Sequence, residues 1–314
     1  MRRRNIKVEI QEGRNRILTS LVSILAIAII SVGSLNLHSD EIVHKFKNPS
    51  FNGVNTSSHY LTIENQEFNR KEAIKAELKA YKEELKRDLR RKDLRHLNTE
   101  SDSEVLLNVF AHELQSQGSV RPGYKEIFEA VRATQKRVRG AYSVVLMING
   151  IGVVGFRDPN GIRPLILGSK ENDLLGSDYV LASESTVLDV LGFNVIDDVK
   201  PGEAIFLDES GNMKREGCAS DIAHTPCIFE YVYLARPDAK IDEISVHKSR
   251  MRMGDFLAKK IKKNHSSLEI DVVIPIPDSS TTSALQLALT LGKEYRQGFV
   301  KNRYIGRTFI IPFQ

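Results

Sequence analysis

The chain has 314 residues, of which 41% are hydrophobic and 27% charged. This length predicts about two domains, and the composition excludes wholesale disorder and fibrous repeats. Its two cysteines, Cys218 and Cys227, exclude a disulfide framework and a zinc site of four thiolates. The net charge is +5, but residues 1–95 carry 19 Lys and Arg against 12 Asp and Glu, whereas residues 96–314 carry 26 against 28. The basic character therefore belongs to the N-terminal third, which argues against a nucleic-acid-binding body.

A basic N-terminus precedes an uncharged stretch at residues 17–37. These 21 residues are long enough, as a helix, to span a hydrocarbon core of about 30 Å. The pattern predicts a hydrophobic helix and a single-pass membrane anchor; a signal peptide and a buried soluble helix are the alternatives. The positive flank would keep the N-terminus in the cytosol and place the rest of the chain outside.

The next two segments differ in pattern. Residues 38–69 are polar and aperiodic, with turn signals at 48–53, and are interpreted as a linker. In residues 71–93, by contrast, apolar side chains recur every three or four positions, which predicts an amphipathic helix.

The middle of the chain alternates predicted helices and strands. Ser101 with Glu104 fits a capping box and opens a helix predicted over 102–116. Strands are predicted at 143–148 and 151–156, joined by a type I′ turn at Asn149-Gly150. Further strands are predicted at 163–167, 179–183 and 203–207, with a helix at 185–192. This mixture predicts an α+β sandwich rather than a doubly wound sheet.

The C-terminal part has the pattern of an α/β unit. Residues 229–235 form an apolar run typical of a strand, and 246–263 predict a basic helix. A buried strand is predicted at 271–278, followed by Ser279, Ser280 and a helix to about Leu291. Such a strand-turn-helix unit presents its loop to ligands, and hydroxyls at a helix start suit a phosphate or hydrated Mg²⁺, although ordinary helix capping explains them equally well.

Several long motifs occur in the order typical of one enzyme family. Arg-Asp-Pro-Asn-Gly-Ile-Arg-Pro-Leu at 157–165 precedes Ala-Ser-Glu-Ser at 182–185. From the residues alone, the first motif is interpreted as a structural loop rather than a catalytic one. Together with Arg-His-Leu-Asn-Thr at 95–99, Phe-Glu-Tyr-Val-Tyr-Leu-Ala-Arg-Pro-Asp at 229–238 and Lys-Asn-Arg-Tyr at 301–304, the chain resembles the amidophosphoribosyltransferases, which are class II glutamine amidotransferases.

The resemblance implies an α+β and α/β architecture in three parts. Residues 1–70 are a leader outside the family, containing the hydrophobic segment 17–37. Residues 71–226 correspond to part of a glutamine amidotransferase type 2 domain with the Ntn-type αββα fold. Residues 227–314 correspond to part of a type I phosphoribosyltransferase domain.

The resemblance also implies a reaction. The family makes 5-phosphoribosylamine from glutamine and phosphoribosylpyrophosphate (PRPP), which is the first step of de novo purine synthesis. It implies glutamine, PRPP, purine nucleotides and Mg²⁺ as ligands, a homo-oligomer and a cytoplasmic location, without nucleic acid. By motif position, Asp102 would hold the amino group of glutamine, Ser280 would lie at the Mg²⁺ site, and Lys301 would bind PRPP or a nucleotide within a mobile flap.

The sequence departs from the family in ways that leave no catalytic residue to assign. The family's nucleophile is a cysteine exposed by removal of the initiator Met, but residue 2 here is Arg. The family's PRPP loop should follow the flap, and Val-Ile-Asp-Asp-Val at 195–199 imitates its start only in part and in the wrong domain, so it is rejected. Some family members carry an iron–sulfur cluster, and Cys227 matches one ligand position. Four cysteines are the usual requirement, so an iron–sulfur cluster is not expected in this chain.

Two alternatives remain open. A membrane-tethered protein could reuse this body to sense nucleotides or to pair with intact subunits, as the segment 17–37 would allow. Another class II amidotransferase, such as a relative of asparagine synthetase, shares the Arg-Asp-Pro loop but not the motifs at 275–278 and 301–304.

Overall fold

The computed structural model describes residues 58–172, 176–302 and 304. The segment 17–37 and most of the predicted flap therefore lie outside the described residues. Among the described residues, no helix combines the length and apolar character needed to cross a membrane. The described chain forms two compact units, one ending at Tyr142 and the other beginning at Ser143. The predicted domain boundary at 226 lies inside the second unit and remains a prediction.

The first unit consists of three helices, α1 (Ser58–Arg91), α2 (Asp102–Ser116) and α3 (Tyr124–Arg137). The predicted helices at 71–93 and 102–116 are confirmed, and α2 packs against α3. The predicted linker is wrong from Ser58 onward, because no proline or glycine interrupts the chain between there and the end of α1. Of the apolar stripe of α1, Leu85 and Leu89 pack into a cluster with Leu97, Val105, Val109 and Val138, whereas Leu78 is exposed.

The second unit begins with two antiparallel sheets. Their strands are β1 (Ser143–Ile148), β2 (Gly152–Arg157), β3 (Ile166–Asn172), β4 (Gly176–Ala182), β5 (Asn194–Asp198), β6 (Glu203–Asp208) and β7 (Met213–Gly217). One sheet has the order β1-β2-β6-β7 and the other β4-β3-β5. Buried residues of both sheets share one core, made of Val145, Leu165, Leu167, Leu181, Val199 and Ile205. The predicted sandwich is therefore present.

A short helix covers one side of the smaller sheet. This helix, α4 (Ser185–Leu191), buries Leu188 against Ile166 and Ala182. The first half of β3 is thus buried on both faces, because Leu167 points into the core between the sheets while Ile166 faces α4. This explains why this half lacks the alternation of apolar and polar residues expected for a strand with one solvent-exposed face.

The turn between β1 and β2 differs from the prediction. Ile148 pairs with Gly152, so three residues form the loop, and the Ile151 N–H donates to the Ile148 carbonyl at 3.0 Å. Gly150 has φ 71°, whereas Asn149 is not among the residues with positive φ. A type I′ turn needs positive φ at both central residues, so the predicted turn type is wrong and the pattern fits type II.

The remainder of the second unit contains a hairpin and one α/β unit. Its elements are a π-helical turn (Glu230–Leu234), β8 (Lys240–Ile241), β9 (Ile244–Ser245), α5 (Val246–Asn264), β10 (Val272–Val273), α6 (Thr281–Leu291) and β11 (Glu294–Tyr295). Strands β10 and β11 are parallel, with α6 as their crossover, and α5 packs against α6. The mixed α/β character expected for this part is confirmed.

Two predicted strands here are wrong. Residues 229–235 form the π-helical turn, in which the Ala235 N–H donates to the Glu230 carbonyl at 2.9 Å. The strand predicted at 271–278 is paired only at Val272 and Val273. Its continuation contains two prolines, which have no N–H to donate to a sheet.

Candidate functional site

The predicted glutamine ligand Asp102 is the first residue of α2. The preceding residue, Ser101, caps the helix by accepting the Ser103 N–H at 3.2 Å. Asp102 Oδ1 lies 2.5 Å from the Nζ of Lys82 on α1. A carboxylate at this end of a helix is favoured by the helix dipole, so the position suits an anionic side chain that receives a cation.

Glu104 fixes the turn that carries Asp102. Its carboxylate accepts the N–H groups of Asn98 at 2.7 Å and Thr99 at 2.6 Å, as well as the Thr99 hydroxyl at 2.6 Å. Hydrogen bonds from Asn98 and Thr99 lower the pKa of Glu104 to about 2. The predicted capping box is therefore only half correct, because Ser101 caps the helix while Glu104 reaches back past it to Asn98 and Thr99.

The other two predicted site residues, Ser280 and Lys301, meet at one turn. Ser280 stands at the N-terminal end of α6, and its hydroxyl donates to the Ile276 carbonyl at 2.5 Å rather than accepting a helix N–H. Lys301 Nζ lies 3.6 Å from the Oδ2 of Asp278, two residues before Ser280. Asp278 was missed by the sequence analysis, although an acidic residue directly after a predicted strand is a usable signal. The turn thus combines a hydroxyl, a carboxylate and an ammonium group.

The side-chain oxygens of this turn can be compared with the ligands that the expected Mg²⁺ would need. Magnesium prefers oxygen ligands and is commonly held by one or two carboxylates together with water and substrate phosphates. Ser280 and the exposed carboxylate of Asp278 fit such a site, which would be completed by the ligand. Among the described residues, no group of three or more His, Cys, Asp or Glu side chains could hold a metal without outside ligands.

The loop after β2 is held by a buried arginine. Arg157 is 1% exposed, and its side chain donates to the carbonyls of Arg163, Val199 and Gly161 at 2.7–2.8 Å. Its two terminal nitrogens also bind both carboxylate oxygens of Asp242, at 2.7 and 2.9 Å. These bonds occupy all five N–H groups of the guanidinium.

The neighbouring Asp158 organises the same loop from inside. Its carboxylate accepts the N–H groups of Asn160, Ile162 and Arg163 at 3.0–3.2 Å, and its carbonyl accepts that of Gly161 at 3.0 Å. Gly161 has φ 60°, and a Cβ at this position would lie 2.7 Å from the Pro201 ring. The motif at 157–165 is therefore occupied by internal bonds, in agreement with its interpretation as a structural loop.

Two half-buried carboxylates next to this loop have pKa values shifted in opposite directions. Burial raises the pKa of Asp198, although the backbone N–H groups of Asp242 and Glu243 bond to it. Burial also acts on Asp242, but Arg157 and then His224 outweigh it and lower the pKa of Asp242. Asp242 and Glu243 have φ 46° and 64°, so they form a tight two-residue turn between β8 and β9.

A second pair of buried contacts surrounds the π-helical turn. Glu230, which is buried, forms an ion pair with Arg163. Arg250 of α5, also buried, donates to the carbonyls of Tyr231 and Ala235 at 2.8 Å each. These bonds to carbonyls stabilise a helical turn where the apolar run predicted a strand.

The Cys227 carbonyl accepts the N–H of Glu230, in the π-helical turn, at 3.1 Å. Cys218 is buried and Cys227 half-buried, and neither of these two described residues forms a disulfide. The imitation of a PRPP loop at 195–199 lies in β5, where Asp197 pairs with Arg215 at 2.9 Å and Asp198 serves the 242–243 turn. Its rejection is therefore supported by the fold.

Comparison with known proteins finds a matching domain family and several similar enzymes. Residues 73–190 match the glutamine amidotransferase domain family. The amidophosphoribosyltransferase of Pseudomonas aeruginosa is 55% identical to this chain over 232 residues, and that of Escherichia coli 53% identical over 231. Each match covers 74% of this chain and 46% of the relative. The chain thus spans about half the length of the curated relatives it matches.

Solved structures give the same result. The glutamine PRPP amidotransferase from B. subtilis, complexed with ADP and GMP, is 36% identical with a TM-score of 0.58. The match covers 74% of this chain and 46% of that chain. A structure described as the allosteric regulatory enzyme of purine biosynthesis is similar to the same degree and over the same share of this chain.

Proposed function

We propose that this chain, whose matched three quarters belong to the amidophosphoribosyltransferase family, forms part of an enzyme that makes 5-phosphoribosylamine from glutamine and PRPP. The observation that carries the proposal is the 55% identity over 232 residues to a relative of that name. The motifs at 275–278 and 301–304 favour this proposal over a relative of asparagine synthetase. A cytoplasmic, homo-oligomeric enzyme with Mg²⁺ belongs to the same proposal.

For the glutamine half, the proposed ligand group is Asp102. Its carboxylate would bind the α-ammonium group of glutamine, at a turn held rigid by Glu104. The two stacked antiparallel sheets support the Ntn-type assignment of this region. In the family reaction a cysteine thiolate attacks the amide carbon of glutamine, ammonia leaves, and water then hydrolyses the thioester.

For the PRPP half, the proposed ligand groups lie in the 275–281 turn and at Lys301. Ammonia forms a bond to C1 of the ribose while the bond from C1 to the pyrophosphate oxygen breaks, so negative charge grows on the leaving group. The ammonium of Lys301 would stabilise this charge. Ser280 and Asp278 would hold Mg²⁺, which neutralises the pyrophosphate when bound.

The expected activity of the chain as given is limited by its cysteines. The nucleophile of this chemistry is a cysteine with a free α-amino group, and Cys218 and Cys227 are both internal residues. A preparation of this chain alone should therefore bind ligands without turning over glutamine. Ammonia release from glutamine and glutamine-dependent phosphoribosylamine formation are the assays, and robust turnover in either would contradict this part of the proposal.

Binding tests the PRPP half separately. Calorimetric titration with PRPP and Mg²⁺ should show an affinity about tenfold weaker for Lys301→Ala, because a hydrogen bond to a charged group is lost. Lys293→Ala, at an exposed lysine just before β11, is the matched control and should bind like the unmodified chain. Equal PRPP affinity in the chain with and without Lys301→Ala would remove Lys301 from the site.

A further inference from the structure

Two lysines of α1 reach the turn that precedes α2. Lys86 is 2% exposed, and its Nζ contacts the carboxylates of Glu83 and Glu100. Lys82, one helical turn earlier, donates to the Glu100 carbonyl at 3.1 Å and lies 2.5 Å from Asp102 Oδ1. Helix α1 thus brings an ammonium group to each of the two acidic side chains in this turn.

The position of Lys82 is set by packing rather than by the ion pair alone. Leu89 of α1 is fully buried in the cluster with Leu97 and Val105, and Leu85 packs against the same cluster. Lys82 and Lys86 are four residues apart and therefore share one helix face. Since Lys86 is anchored on that face, Lys82 is held within reach of Asp102 whether or not their pair is formed.

We infer that Lys82 occupies Asp102 in place of the ammonium group of an amino-acid ligand and thereby weakens glutamine binding. This inference rests on the proposed role of Asp102. A lysine side chain and the α-amino group of glutamine offer the carboxylate the same chemical group. Two ammonium groups beside one carboxylate repel each other, so glutamine must displace Lys82 to bind fully.

The solvent exposure of the Lys82–Asp102 ion pair determines how much Lys82 lowers the affinity for glutamine. The side chains of Lys82 and Asp102 are 33% and 24% exposed, so the pair has the modest strength of an ion pair open to solvent. A tethered competitor of that strength lowers the apparent affinity for glutamine about two- to sixfold. Because linkage is reciprocal, bound glutamine must free Lys82 by the same factor.

The test compares four forms of the full chain: unmodified, Lys82→Met, Asp102→Asn and Lys79→Met. The last changes an exposed lysine of the same helix and is the matched control. Glutamine affinity is measured by saturation-transfer NMR at millimolar ligand, in parallel with glutaramate, which is glutamine without its α-amino group. The rate at which acetic anhydride labels Lys82 is followed by mass spectrometry with and without glutamine.

The expected result is a two- to sixfold higher affinity for glutamine in Lys82→Met, no change in Lys79→Met, and no effect of Lys82→Met on glutaramate. Glutamine should also speed the labelling of Lys82. If Asp102→Asn weakens glutamine binding but Lys82→Met leaves it unchanged, the inference fails while the proposed function stands. If Asp102→Asn has no effect, or if no form binds glutamine, the role of Asp102 fails and the inference with it.

Discussion

The buried guanidinium of Arg157 offers the sharpest test of how the second unit is held together. Arg157→Met keeps an unbranched apolar stem but removes all five N–H groups. Among the described residues, the carboxylate of Asp242, whose side chain is 10% exposed, would then keep the His224 ring at 3.2 Å as its side-chain partner. Removing one partner of a buried ion pair leaves an uncompensated charge, which typically destabilises a protein by about 3–5 kcal/mol. Total stabilities are only about 5–15 kcal/mol, so the loss should be large.

Urea unfolding of the full chain, followed by circular dichroism, measures this change in the free energy of unfolding. The matched control is Arg236→Met, because Arg236 forms an exposed pair with Asp238 and should leave stability unchanged within error. Replacing Asp242 by Asn in the Arg157→Met background removes the stranded charge, and Asn tolerates the positive φ of this position. The double variant should therefore recover part of the loss.

The pH dependence of the same variant gives an independent check. The pKa of Asp242 is lowered in the folded chain, so its pair contributes stability above the ordinary value of 3.8, and this contribution is lost as the pH falls. The difference between the unmodified chain and Arg157→Met should shrink below pH 3.8 because Asp242 is then increasingly protonated. A loss no larger than that of Arg236→Met at neutral pH would refute the reasoning.

Two further changes test packing and a buried charge. A Cβ at Gly254 of α5 would lie 2.4 Å from the Ser283 carbonyl oxygen of α6. Gly254→Ala should therefore destabilise the chain by about 1–3 kcal/mol, although alanine has the better helix propensity. The control is Gly217→Ala, whose added Cβ would meet nothing within 4 Å and should leave the free energy of unfolding unchanged in the same assay. Burial raises the pKa of Asp198, so ionisation of this residue opposes folding. Asp198→Asn should therefore stabilise the chain at neutral pH, with the gain disappearing below about pH 3.8, and unfolding curves across pH in which the gain persists in acid would contradict this assignment.

The sequence predicted those elements whose local signals agree with their packing. Helix α2 was predicted at its observed bounds because a serine cap and an apolar stripe coincide. The π-helical turn was missed because its apolar run is typical of a strand, while the bonds that hold the turn come from Arg250 and Arg163, which are distant in sequence. Such long-range contacts leave no periodic signal.

The candidate sites show the same division. Ser280 was assigned to the Mg²⁺ site by motif position, but the approach of Lys301 to Asp278, two residues before it, depends on where the chain returns after β11. Lys82 was not singled out from the sequence, because its contact with Asp102 requires the packing of α1 on the cluster around Leu89. Residue type and motif position could therefore suggest ligand groups, whereas their competitors and neighbours came only from the fold.

The motif that identifies the family most specifically is also the one least available for chemistry. In this motif, Arg157 donates its hydrogen bonds to loop carbonyls and to Asp242, and Asp158 accepts hydrogen bonds from loop N–H groups. The second family motif, at 229–238, is joined to it by the buried pair of Glu230 with Arg163. Replacing one member of a buried charged pair is costly, because it leaves the partner unpaired. The groups open to ligands lie instead in the polar turns at 98–104 and 275–281, where single residues such as Asp102 and Asp278 carry the proposed chemistry.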